Sequence, residues 1–131
     1  MRLRLTGIAR WREADAAEHA GAALLSPRVR RRSSLLTRAL AEVYALAVER
    51  AGAQPGRGAT VFASTYGEIG ILLPLLDQAI TPGVDMSPLR FSTSVHNAAS
   101  GRITIATADR GFTTSIAAGG DTLPAALIEA H

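Results

Sequence analysis

The sequence predicts an α/β layered fold. Two short β-rich apolar runs, residues 59–64 and 112–118, are separated by stretches with helical periodicity, and such stretches also precede and follow them. At 131 residues and 47% hydrophobic content the chain has enough apolar material for one core, so residues 1–131 are read as a single domain.

Residues 3–11 alternate apolar and polar positions through Leu3, Leu5, Gly7 and Ile8, which predicts a first strand. Residues 12–21 are charged and alanine-rich and read as a loop or short helix. Ser26-Pro27 followed by Arg28, Arg30, Arg31 and Arg32 forms a basic connector, which ends in the helix-capping pair Ser33-Ser34. A long helix is then predicted over residues 35–50. Leu36, Leu40, Val43 and Ala47 recur there at three- and four-residue spacing, and Leu35, Ala39 and Leu46 widen the stripe. Ala51-Gly52 stops it. After a Pro/Gly turn at residues 54–58, the run at 59–64 fits a strand covered on both faces. Residues 69–80 form a second helical stretch, with Pro74 expected in its first turns, where the missing donor costs least. Thr81-Pro82-Gly83 closes it. Met86-Ser87-Pro88 starts a short helix with proline at its first position, residues 97–101 break it, and residues 102–108 begin another. Residues 112–118 alternate β-branched and small side chains as a strand, and residues 121–130 read as an alanine/leucine helix.

Composition removes whole reaction classes. All 14 basic residues are arginines, so Schiff-base chemistry and a P-loop lysine are absent. The chain has no cysteine, which excludes disulfides, thiolate zinc sites and thiol nucleophiles and suits a reducing cytoplasm. The N-terminus lacks an apolar signal core, and no run approaches the roughly 20 apolar residues of a membrane span. A soluble, cytoplasmic protein is expected. The net charge of +3 and pI near 10.5 raise nucleic-acid binding, but an aromatic content of 5% is too sparse for a base-stacking platform, and no nucleic-acid partner is expected. His19 and His131 show no metal-ligand spacing, the serines and threonines lie in no G-x-S-x-G elbow, and no metal or cofactor is called for.

The series Ser87-Pro88, Phe91, Ser94-Val95-His96-Asn97, Gly101, Ile103, Ile105 and Gly111, then a β-run and small residues before an Ala/Leu helix, resembles the condensing-enzyme block of the thiolase superfamily. Arg30-Arg31-Arg32-Ser33-Ser34-Leu35 is similar to the arginine-rich helix entry of single-domain β-ketoacyl synthase-like proteins, some of which are chain-length factors. The resemblance covers nearly the whole chain, weakly before Arg28. It implies the N-terminal half of a thiolase-like layered fold, a mixed sheet covered by helices, with the C-terminal half and its catalytic histidines lacking.

In that family a cysteine opens the helix after the strand, where the helix N-terminus stabilises its thiolate. Here the elbow reads Ala117-Ala118-Gly119-Gly120-Asp121, and the resemblance places Gly120 at the nucleophile position. The expectation is a non-catalytic subunit of chain-length-factor type that dimerises with a β-ketoacyl synthase partner or with itself. An acyltransferase or decarboxylase with a non-cysteine nucleophile is the alternative. The resemblance implies pocket or dimer-interface positions at Phe91, Ser94, His96, Asn97, Gly119, Gly120 and Asp121. His96 also reads simply as a polar residue closing a turn with Asn97. Arg28, Arg30, Arg31 and Arg32 fit a solvated helix entrance, a docking face for an acidic acyl carrier protein, or a nucleic-acid contact.

Overall fold

The computed structural model describes Arg4, residues 6–12 and residues 19–131. The expected first strand is not formed among the described residues of its range. There Gly7 lies close against Ala47 and Ala51 at the end of a helix, and the Arg50 guanidinium donates to the Ile8 carbonyl. Most of the predicted loop or helix at 12–21 lies outside the described residues.

The basic connector is itself a helix, α1 (Pro27–Arg31). Ser26 caps it by accepting from the Val29 amide at 3.4 Å, and Pro27 at its start gives up an amide that would have no helical partner. The long helix α2 (Leu35–Arg50) follows as predicted, with Ser34 Oγ accepting from the Thr37 amide at 3.0 Å. Its buried line is Thr37 and Ala41, flanked by Leu40 and Tyr44, which is rotated from the predicted stripe of Leu36, Leu40, Val43 and Ala47. A small residue, Ala41, at the centre lets α2 approach the helix it packs on.

Strand β1 (Thr60–Ala63) leads into α3 (Ile69–Ile80), the short α4 (Pro88–Phe91), α5 (Ala98–Thr107), strand β2 (Thr113–Ile116) and, after one tight turn, α6 (Thr122–Glu129). The described sheet is a parallel pair, Thr60 opposite Thr113 and Ala63 opposite Ile116, lengthened by the bonds Thr60 N to Phe112 O and Ser64 N to Ile116 O. Parallel strands require a crossover, and α3, α4 and α5 provide it. Only Phe62 of β1 is buried, so the strand is less covered than its apolar sequence suggests.

Two predicted punctuation marks behave differently in the structure. Gly101 does not break a helix. Its amide donates to the Asn97 carbonyl at 3.0 Å, placing it in the first turns of α5, and burial of Ala99, Ser100 and Ile103 on the same helix offsets the roughly 1 kcal/mol that glycine costs there. Pro74 lies inside α3, beyond its first turn, so the helix forgoes one internal hydrogen bond. The core joins Leu25, Ala41, Phe62 and Ile103, with Leu24, Val29, Leu40 and Tyr44 packed around them, and the Tyr44 and Phe62 rings lie 5.9 Å apart. It therefore sits where α2, α5 and the sheet meet.

Candidate functional site

Ligands of open α/β sheets gather outside the carboxyl ends of parallel strands, where the chain turns away and leaves a crevice. Here both strands end side by side. The β2 end continues as Ala117 and Ala118 into a 3₁₀ turn over Gly119–Asp121 and then α6. Gly119 takes φ of +56°, a left-handed conformation that glycine adopts without penalty. Three bonds fix this elbow. The Gly119 amide donates to the Thr65 carbonyl at 3.1 Å, tying it to the loop after β1, while Thr122 Oγ1 accepts from the Ala118 amide at 3.0 Å and donates to the Gly119 carbonyl at 2.8 Å.

Beside the elbow lies an open cleft of about 360 Å³, lined by Ala63, Ser64, Thr65, Gly119, Gly120 and Leu123, with Thr122 at its base. A Cβ placed on Gly120 would meet nothing within 4 Å, so its surroundings are free space and not packing. Asp121 is exposed at the position before α6 and makes no side-chain capping bond; its charge is favourably placed against the helix dipole.

His96 and Asn97 belong to a different hollow. With Ser100, Gly101, Thr104 and Thr113–Ser115 they line a polar cleft of about 340 Å³ between α5 and β2. Ser100 Oγ and Ser115 Oγ are hydrogen-bonded at 2.7 Å across it, and the buried Thr113 Oγ1 has no partner among the described residues. His96 is exposed, and its Cβ lies 3.2 Å from where a Cβ on Gly67 would stand; Gly67, with φ of +59°, is what lets the loop after β1 pass this close. His96 also reaches a space of about 10 Å³ shared with Ser64 and Ser100, at the limit of what a single water needs.

The positions implied by the resemblance therefore fall into separate places. Gly119 and Gly120 share the elbow cleft, and His96 and Asn97 the polar one. Phe91 is exposed on α4, whereas Ser94 is buried with its hydroxyl donating to the Phe91 carbonyl at 2.8 Å. Arg28, Arg31 and Arg32 are exposed on and just after α1, and Arg30 is half-buried.

Sequence reasoning missed Ser64, Thr65 and Thr122 at the elbow cleft, and also Glu68. The carboxyl-end rule for parallel strands would have found Ser64 and Thr65, since they directly follow a predicted strand. Glu68 is buried, and its Oε1 accepts from Ser34 Oγ at 2.7 Å and from Thr37 Oγ1 at 2.8 Å, clamping the start of α3 to the start of α2. Among the described residues no three His, Asp or Glu side chains gather as a metal site would require, and no helix is long and apolar enough to cross a membrane.

The arrangement of helices around the parallel pair is similar to that in a solved ketosynthase (ApeO) in complex with its chain length factor (ApeC) from Xenorhabdus doucetiae. The likeness has a TM-score of 0.69 at 28% sequence identity and covers 81% of this chain. It covers 42% of the solved chain, so this chain spans less than half of the length it matches. No curated protein matches it. Residues 8–131 match the family model described as the N-terminal domain of β-ketoacyl synthase, and with the thiolase-like architecture this establishes that the chain belongs to that family.

Proposed function

We propose that this domain acts as a non-catalytic ketosynthase-like subunit of chain-length-factor type. It pairs with a cysteine-bearing β-ketoacyl synthase and bounds the cavity into which the growing acyl chain extends, in fatty acid, polyketide or polyene synthesis. The observation that carries this reading is the elbow. Gly120 stands at the turn between β2 and α6 without a side chain, beside a cleft of about 360 Å³. Condensation requires a thiolate to hold the acyl group, and the chain has no cysteine.

The hydroxyls nearby do not replace it. Thr122 Oγ1 is committed to Ala118 and Gly119, Ser64 Oγ accepts from the Gly67 amide at 2.8 Å, and among the described residues no imidazole is hydrogen-bonded to either. That arrangement favours shaping a cavity over forming bonds, and it weighs against the acyltransferase or decarboxylase alternative. The matched structure is that of a ketosynthase in complex with its chain length factor, and a ketosynthase partner is proposed here by that likeness. Arg28, Arg30, Arg31 and Arg32 are the proposed contact for an acidic acyl carrier protein, and Phe91, His96 and Asn97 are proposed for the partner-facing side, with the buried Ser94 supporting Phe91 from beneath.

The test is to co-express the chain with a ketosynthase from the same source and add a radiolabelled acyl thioester. The label is expected on the ketosynthase alone. Gly120→Phe, which projects a ring into the cleft, is expected to shorten the products of the complex while leaving the labelling intact. Covalent label on this chain would overturn the proposal, and so would an unchanged product length in the complex carrying Gly120→Phe.

A further inference from the structure

A third cavity lies away from the elbow and shares no residue with it. Leu24 and Leu25 from the turn before α1, Val29 on α1, and Ile105 and Ala106 on α5 enclose about 300 Å³. This is the lower end of the range, roughly 300–1,000 Å³, in which small-molecule clefts fall, and such clefts are characteristically apolar with a few placed polar groups. The floor is firm, since Leu25 is 2% exposed and belongs to the main core. The mouth is open, with Ile105 82% exposed at its edge.

Two polar residues stand at this cleft, Ser26 and Arg102. Arg102 is half-buried, and its Nη1 donates to Ser33 Oγ at 3.2 Å. Among the described residues that neutral hydroxyl is its one hydrogen-bonding partner, and no carboxylate lies within ion-pair distance of it. A guanidinium carries five N–H donors in a planar fork, and no Arg102 nitrogen is buried without a partner, so the donors that do not reach Ser33 stay accessible at the cleft. A carboxylate matches that fork in both shape and charge. A dianionic phosphate would call for further cations, and none of the α1 arginines lines the cleft. No aromatic side chain lines it either, so the walls suit a flexible aliphatic chain better than a ring.

We propose that the cleft between α1 and α5 binds a single-chain aliphatic carboxylate, its tail on Leu25, Val29 and Ile105 and its head on the Arg102 guanidinium. The proposal does not depend on the subunit reading above, and either can fail alone. Amide NMR of the full chain titrated with decanoate, decanol and butyrate tests it. Decanoate is expected to shift the amides of Leu24, Leu25, Val29 and Ile105. Arg102→Gln is expected to weaken decanoate roughly ten-fold or more, the equivalent of one charge-assisted hydrogen bond, while leaving decanol unaffected. Ala106→Trp, a change at an exposed helical position that fills the cleft, is expected to abolish binding of both. Butyrate, too short to cover the apolar wall, is expected to bind far more weakly. Decanoate shifts spread over α3, α4 and α6 would overturn the proposal, as would decanoate affinity unchanged in Arg102→Gln or retained in Ala106→Trp. Absence of any decanoate binding to the unaltered chain would do the same.

Discussion

Glu68 shows how one residue can matter without belonging to a motif. Its carboxylate is buried, yet Oε1 receives two hydroxyl bonds from Ser34 and Thr37 at the start of α2, where the helix dipole also favours negative charge. Because Gly67 and Glu68 end the loop that carries Ser64 and Thr65, this clamp also holds one wall of the elbow cleft. Glu68→Ala would leave the buried Thr37 hydroxyl without its acceptor. It is expected to lower unfolding free energy by about 1–3 kcal/mol, read from the urea midpoint, with Glu68→Gln costing less because an acceptor remains. Equal losses in the two variants would show that the acceptor is not what matters there. The sequence offered no sign of this residue, since a glutamate before an apolar helix looks like an ordinary solvated charge.

At the scale of elements, the elbow between β2 and α6 is held by a side chain bonding to main chain. Thr122 Oγ1 closes the turn through Ala118 and Gly119, and the Gly119 amide ties the turn to Thr65 after β1. Thr122→Val keeps the volume but leaves the Ala118 amide without its acceptor. It is expected to cost about 1–3 kcal/mol and to speed hydrogen exchange at Ala118 and Gly119 before it affects α2 or α5. Exchange accelerated uniformly over the whole chain would instead mean that the elbow has no independent stability. The elements themselves were largely legible. Apolar spacing located α2, leucine-rich and alanine/leucine composition located α3 and α6, and β-rich composition located both strands to within a residue or two. The errors had two causes: packing outweighed a local signal at Gly101, which stays helical because Ala99, Ser100 and Ile103 are buried around it, and a local signal was passed over at the arginine run, which becomes α1 because Ser26 and Pro27 start a helix there. The alternation at residues 3–11 was a true pattern without a neighbouring strand to pair with among the described residues.

Across the whole molecule, charge and apolar surface are unevenly placed. Arginines concentrate at α1, while α3 and α4 expose Leu73, Leu76, Ile80, Leu89 and Phe91. The first feature predicts a salt-dependent encounter with an acidic partner. Arg30→Glu combined with Arg31→Glu is expected to weaken binding of an acidic carrier protein at least several-fold at low salt, with the difference shrinking as salt screens it; a titration repeated across ionic strength reads this directly. Binding that is indifferent to both the substitutions and the salt would leave α1 as a solvated helix entrance.

By itself the sequence determined the alternation of helices and strands, the family likeness and the absence of a thiol, because these rest on residue type and local spacing. Only the tertiary structure decided that Gly120 adjoins Ser64 and Thr65, that His96 and Asn97 line a different hollow, and that Arg102 meets Leu25 and Val29 at a third. Those neighbours are distant along the chain, and they meet only because a parallel pair sets two strand ends side by side while α5 packs across α2. No local pattern encodes such a meeting.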